Sequence, residues 1–159
     1  MEILDLATLI TGVTSMGDVV ILDNEKVSIL EAEILKLPQV DLGTQHELSG
    51  KVYARTIYIR AGVVLTGAKH NHDHINIVFG DITVSTDEGM KRLTGYHVLP
   101  TKAGMKRVGF AHAGTYWTTC SYTELTEIEA IEDELTDESE MLQTRTLKLH
   151  GKETICHLD

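Results

Sequence analysis

Cysteine, proline, tryptophan and basic residues are all scarce in this 159-residue chain, and each shortage narrows what it can be. The two cysteines, Cys120 and Cys156, lack metal-site spacing and are too few for a disulfide framework. They are expected to be reduced thiols of a cytoplasmic protein. Lys and Arg number 14 against 24 Asp and Glu, for a formal charge of -10. Nucleic-acid backbones and anionic membranes both reward excess cations, so neither is expected as the main partner. No long apolar run is present. The N-terminal "MEILDLATLITGVTSMGDVVIL" has no basic leader region and is interrupted by Glu2, Asp5 and Asp18, so it reads as neither a signal peptide nor a membrane span. A G-x-S-x-G elbow and a phosphate-cradling glycine loop are also missing, which excludes the hydrolase elbow and the P-loop.

What is present fits one globular domain: 42% hydrophobic and 24% charged residues, in a chain long enough to bury a core. The charge is uneven. Nine acidic residues and no basic ones lie between Glu124 and Glu140, so the remainder is almost neutral and can hold a local basic pocket.

Four segments follow. Residues 1–39 form an N-terminal helical or irregular flank. In it "DNEKVSILEAEILKLP" reads as an amphipathic helix, capped by Asp23 or Asn24, striped by Val27, Leu30 and Ile34, and ended by Pro38. Residues 40–122 carry at least six short β-branched and aromatic runs: "KVYARTIYIR", "VVLTGA", "INIVFG", "DITVST", "YHVLP", "RVGFAH" and "YWTTCSY". Glycine-containing turns such as "DEG", "TKAG" and "AG" separate them, and no helical stretch intervenes. This predicts an all-β barrel or sandwich, the barrel being favoured. Residues 123–141 predict an acidic helix, with Thr126 and Glu129 as a capping box and the carboxylates as a solvated face. Residues 142–159 form a tail, read as a final strand or a docking segment. The flanks are expected to build a homo-oligomer.

The candidate site lies in "KHNHDHINIVFGDITV", Lys69 to Val84. On a regular strand His70, His72 and His74 share one face, rising about 6.6 Å per two residues. An H-x-H pair can converge on one ion at about 2.0–2.1 Å, whereas His70 and His74 stand roughly 13 Å apart on a straight strand. The metal pair is therefore His70 with His72 or His72 with His74, joined by His112 or His97 from another strand. Neutral imidazoles with an open position suit Zn²⁺, Ni²⁺, Fe²⁺ or Mn²⁺ and would support hydrolytic or oxygen chemistry. A bulge is needed if His112 and Arg107 are to face the same way. The alternative is a metal-free binder of an anionic, nucleotide-like small molecule, with Arg107 as its anchor. Tyr58 shares parity with Val52 and Ala54 and is a candidate pocket residue with His97. His46 and Trp117 read as structural.

Closely spaced histidines, an apolar strand and a glycine–acid turn resemble the first motif of the cupins, and Gly95, Pro100 and Gly104 resemble their second. From Leu37 to Leu135 the chain resembles small cupin-like proteins of tailed bacteriophages. The resemblance implies a jelly-roll barrel, and with a phage origin the host cytoplasm as its location, or a structural role in assembling a phage particle. It also implies a metal held by two histidines and a carboxylate of the first motif and a histidine of the second. Here Ile75 to Val78 leave no glutamate after His72, and Arg107 stands about where the second-motif histidine is expected. An arginine does not ligate a cation.

Overall fold

The computed structural model of the chain describes residues 8, 11–12 and 16–149. Helix α1 spans Asn24–Ile34. Six strands follow: β1 Gln45–Ser49, β2 Val52–Ile59, β3 Val64–Thr66, β4 His74–Thr86, β5 Gly89–Thr101 and β6 Val108–Tyr122. Helix α2 (Ile128–Leu135), a 3-10 turn (Ser139–Met141) and helix α3 (Gln143–Leu149) complete the described chain. All strand pairs are antiparallel, in the order β1-β2-β6-β4-β5, with β3 on the start of β6. The fold is the all-β, jelly-roll type expected from the sequence, with helical flanks. Among the described residues no helix is long and apolar enough to cross a membrane.

The strands are fewer and longer than the sequence runs suggest. "INIVFG" and "DITVST" are one strand, β4, and the facing strand β6 bulges against it on either side of Asp81, with one extra residue at each shift. Gly80 pairs with Gly95 there, and a Cβ on Gly80 would collide with Thr115. The glycines let the strand bend without breaking the ladder, so they mark a corner instead of a turn. The "AG" at Ala113–Gly114, read as a turn, likewise lies inside β6. Gly89, at a φ of +118°, does close a tight β4–β5 hairpin with Thr86. Pro100 sits in β5 at the end of the sheet order, where a missing N–H is tolerated.

Inside the curled sheet Ile59, Val78, Ile82, Val84 and Leu93 form the main core. Alternation along the strands puts them on one face and polar or aromatic residues on the other. The flanks close the ends. Asp23 caps α1 by accepting from the Lys26 N–H at 2.9 Å, and Val27 packs with Leu22 and Val108. Ile131 and Leu135 of α2 pack on Tyr53.

Three expectations for the C-terminal region are corrected. The Thr126–Glu129 capping box does not form. The helix starts after Glu127 with no side-chain cap, because Thr123 organises the turn by accepting from the Leu125 N–H and donating to Glu134. The acidic face is not all solvated: Glu132 is 3% exposed and accepts from Thr144 and Arg145. The tail begins as helix α3, not as a strand, and its remainder, 150–159, lies outside the described residues.

One buried cation joins both flanks to the barrel. The Lys106 side chain, 2% exposed, lies 3.1 Å from Glu31 on α1 and 2.8 Å from Glu138 after α2. Removing one member of such a cluster leaves uncompensated buried charge. Lys106→Met is therefore expected to lower unfolding free energy by about 3 kcal/mol, read from urea denaturation, and an unshifted midpoint would contradict it.

Candidate functional site

The inward residues of the curled sheet enclose a cavity of about 470 Å³. Its polar wall is a rung of three adjacent strands: Arg55 on β2, Thr119 on β6 and Asn76 on β4. The next rung down is apolar, Ile57, Trp117 and Val78. Residues 105–107 and the helical flanks cover the mouth, so both flanks contribute to the cavity wall.

Asn76, 3% exposed, organises the wall. Its Oδ1 accepts from Trp117 Nε1 at 3.0 Å and Thr119 Oγ1 at 2.8 Å, and its Nδ2 donates to Thr101 Oγ1 at 2.9 Å. The Arg107 Nη2 approaches the same Thr101 oxygen at 3.5 Å, while Nη1 donates to the Ser85 carbonyl at 2.7 Å. A fixed amide thus locks the rotamers between the two arginines.

The histidines do not share a strand face. Residues 71–72 form a bend, and β4 begins only at His74. The bend is held by its own polar side chains, as expected for Asn and Asp near turns. Asp73 accepts from Lys102 Nζ and the Ala103 N–H, and Asn71 donates to Glu134 and Asp137. The Gly104 N–H donates to the His70 carbonyl. His70 is folded back onto His74, with ring centroids 4.3 Å apart, while His72 is exposed. The pair that forms is the one a straight strand would hold apart.

His74 donates Nδ1–H to the His72 carbonyl at 3.0 Å, since a carbonyl can only accept, and this fixes its tautomer. Among the described residues the buried Nδ1 of His70 has no hydrogen-bond partner. Burial, with the nearby His74 and Arg55, pushes the His70 imidazole down from 6.5 to about 4. It is therefore neutral at pH 7. Burial also lowers both guanidinium values, partly offset by Tyr53 and Glu132 for Arg55 and by Asp87 for Arg107. An arginine starts high enough to stay charged.

The remaining candidates lie elsewhere. His112 Nε2 meets Thr83 Oγ1 at 2.7 Å with its ring edge-on to Phe110, and His97 Nε2 donates to the Thr94 carbonyl at 2.9 Å. Neither lines the cavity. Tyr58 shares the parity of Val52 and Ala54 as expected, but that parity is the outer face, where its ring packs tilted against Tyr116, centroids 4.9 Å apart. Only His70, His74 and Arg107 of the expected set meet at the cavity. Tyr53 also lines it. Its hydroxyl lies 2.7 Å from His46 Nδ1, and burial pushes the phenol up. Arg55 and Asn76 were not anticipated as site residues. A signal for Arg55 existed: it interrupts the apolar stripe Tyr53, Ile57, Ile59.

A divalent ion does not fit these residues. Among the described residues no three or more His, Cys, Asp or Glu side chains come together as a ligand group. Arg55, Lys106 and Arg107 all line the same cavity; Lys106 is paired with Glu31 and Glu138, and the two guanidinium groups, which form no ion pair among the described residues, oppose another cation.

No family model matches the chain, and no curated protein matches it. Solved structures do. A cupin-2 domain protein from Shewanella frigidimarina is 8% identical over 58% of this chain and 91% of that one, with a TM-score of 0.43. A cupin superfamily protein from Desulfitobacterium hafniense is 12% identical over 55% and 84%, at 0.43. The cupin-2 domain of a transcriptional regulator from Enterobacter cloacae is 12% identical over 46% and 84%, at 0.39. All three are cupin domains. The likeness is partial and brings no activity with it.

The depressed His70 value has a measurable consequence. Between pH 6.5 and 4 the unfolded chain takes up a proton that the folded chain refuses, so His70 contributes stability that is fully present above pH 6.5 and falls as the pH drops. The loss by pH 5 is expected to be about 2 kcal/mol. His70→Gln should flatten that part of the urea midpoint–pH curve, and an unchanged curve would contradict the assignment.

Proposed function

We propose that the chain is a binding module for a small organic anion with an apolar body, held inside the barrel. One observation carries the reading. Of the four buried side-chain polar atoms without a partner among the described residues, three are nitrogens of cavity-lining residues: Arg55 Nε, His70 Nδ1 and Arg107 Nε. Buried polar groups are nearly always satisfied, so orphans gathered around one cavity call for a missing partner. Neither guanidinium forms an ion pair among the described residues, although Lys106 and Arg145 nearby are each paired with more than one carboxylate. A carboxylate or phosphate supplies acceptors for both arginines. Ile57, Ile82, Val84 and Trp117 suit an apolar body, and the volume lies within the usual range for small-ligand sites, about 300–1,000 Å³. No bond-making step is assigned. If the phage resemblance holds, such a module would sequester an acidic metabolite in the host cytoplasm.

The test separates a ligand-binding arginine from a structural one. A structural guanidinium lost to methionine lowers stability, whereas an unpaired buried charge so replaced leaves it equal or higher. Arg55→Met and Arg107→Met are therefore expected to unfold at or above the wild-type midpoint. Trp117 is the sole tryptophan and lines the cavity, so its fluorescence reports occupancy when carboxylates and phosphates are titrated. Each variant should weaken the responding anion by roughly 10- to 100-fold, the value of a charge-assisted hydrogen bond. Destabilised variants with no anion response in the wild type would overturn the reading. So would stoichiometric Zn, Fe, Ni or Mn in protein purified without a histidine tag and lost in His70→Ala.

A further inference from the structure

The strands that line the cavity present a different surface on their other side. Register places Tyr58, Tyr116, Phe79 and Tyr96 side by side across β2, β6, β4 and β5. Each is at least 40% exposed, and Phe79 and Tyr96 reach 59% and 65%. A Cβ on Gly114 would collide with the Tyr58 ring, so that glycine lets the ring lie flat against the sheet. The following rungs carry Ile75 and Val98, 45% and 49% exposed, among threonine, alanine, cysteine and proline. Val52 and Tyr122 pair at the far end and are also exposed.

We propose that this outer sheet face is the interface between two copies of the chain. Its area matches. At about 200 Å² for a whole aromatic side chain, the exposed parts of these aromatic and aliphatic residues amount to about 800 Å², the share each partner contributes to a standard interface. A contiguous apolar patch of that size is unusual on a free monomer. Its charge fits a second copy. On β2, β6, β4 and β5 no residue of these rungs is charged, although the chain carries -10 overall; the one charge on them is Glu47 of the edge strand β1, opposite Ala54. Two like-charged copies can meet across these four strands without opposing like charges, and a partner chosen for complementary charge would find none there. Its shape fits as well. A sheet face can stack on its own copy about a two-fold axis, and phenol hydroxyls both donate and accept, so each can pair with its equivalent. The flanks, expected from the sequence to build the oligomer, instead pack on their own barrel.

Sedimentation velocity and light scattering on the full chain, from low to high micromolar, are expected to give twice the 17.6 kDa chain mass. Phe79→Glu and Tyr96→Glu should each raise the dimer dissociation constant at least about 30-fold, as central aromatic positions do. Ile128→Glu, at an exposed apolar position on α2, should leave the mass unchanged. Cys120, which sits on this face beside Ile75, gives a readout on the unaltered chain. Its thiol-labelling rate, resolved from Cys156 by peptide mapping, should fall as protein concentration rises. A wild type that stays monomeric, a dimer that survives Phe79→Glu, or a Cys120 rate independent of concentration would overturn the proposal. A monomer whose Cys120 is shielded at every concentration would assign the face to another segment of the same chain.

Discussion

The cavity depends on the buried contact between Lys106, Glu31 and Glu138. The barrel alone is open at the mouth, and the polar rung of Arg55, Thr119 and Asn76 would face water there. Lys106 draws a carboxylate from each flank onto the loop before β6. The same contact fixes the surrounding chain. Asn24, the first residue of α1, accepts from the Lys106 N–H and donates to the Gly104 carbonyl, while Glu138 also accepts from the Lys69 N–H. Burial would raise the Glu138 carboxyl, yet Lys106 and the Lys69 N–H outweigh it and hold the group below its usual range. The desolvation that lowers His70 and leaves arginine nitrogens orphaned is thus produced by the flanks.

The two-residue period of a strand lets one sheet serve two purposes. On β2, Tyr53, Arg55, Ile57 and Ile59 face the cavity while Tyr58 joins the outer aromatic row. On β6, Trp117 and Thr119 face inward while Tyr116 and Cys120 face outward. This explains why these strands look half apolar on both parities, and why a single-residue register slip would be so damaging. It would exchange the ligand wall for the outer face.

That double loading also limits what could be read from the sequence. The β-rich middle and the α1 cap at Asp23 were legible because local chemistry decides them. The corners were misread at Gly80 and Gly114, since glycine signals a bend as well as a turn, and only the register across the sheet distinguishes the two. The histidine cluster was misread for a related reason. Alternation is informative only where there is a strand, and Asn71 and Asp73 convert that segment into a bend through partners 29 to 66 residues away. Glu132 looked like one carboxylate in an acidic face until α3 brought Arg145 to it. Arg55 does interrupt an apolar stripe, but that signal could not decide the matter, because both parities of "VYARTIYI" are plausible as the inner one.

The same cavity bears on what the cupin resemblance can imply. The second-motif position where the resemblance implies a metal-binding histidine holds Arg107, and the first motif supplies no carboxylate after its histidines. These two departures act in the same direction. A carboxylate and an imidazole are what a cation needs; replacing one with an apolar residue and the other with a guanidinium removes the attraction and adds a repulsion. Arg55, lining the same cavity, adds a second positive charge without an ion pair among the described residues. On the reading proposed above, what remains is a jelly-roll barrel whose interior favours the opposite sign of guest, because an anion supplies acceptors to both half-buried guanidinium groups at once.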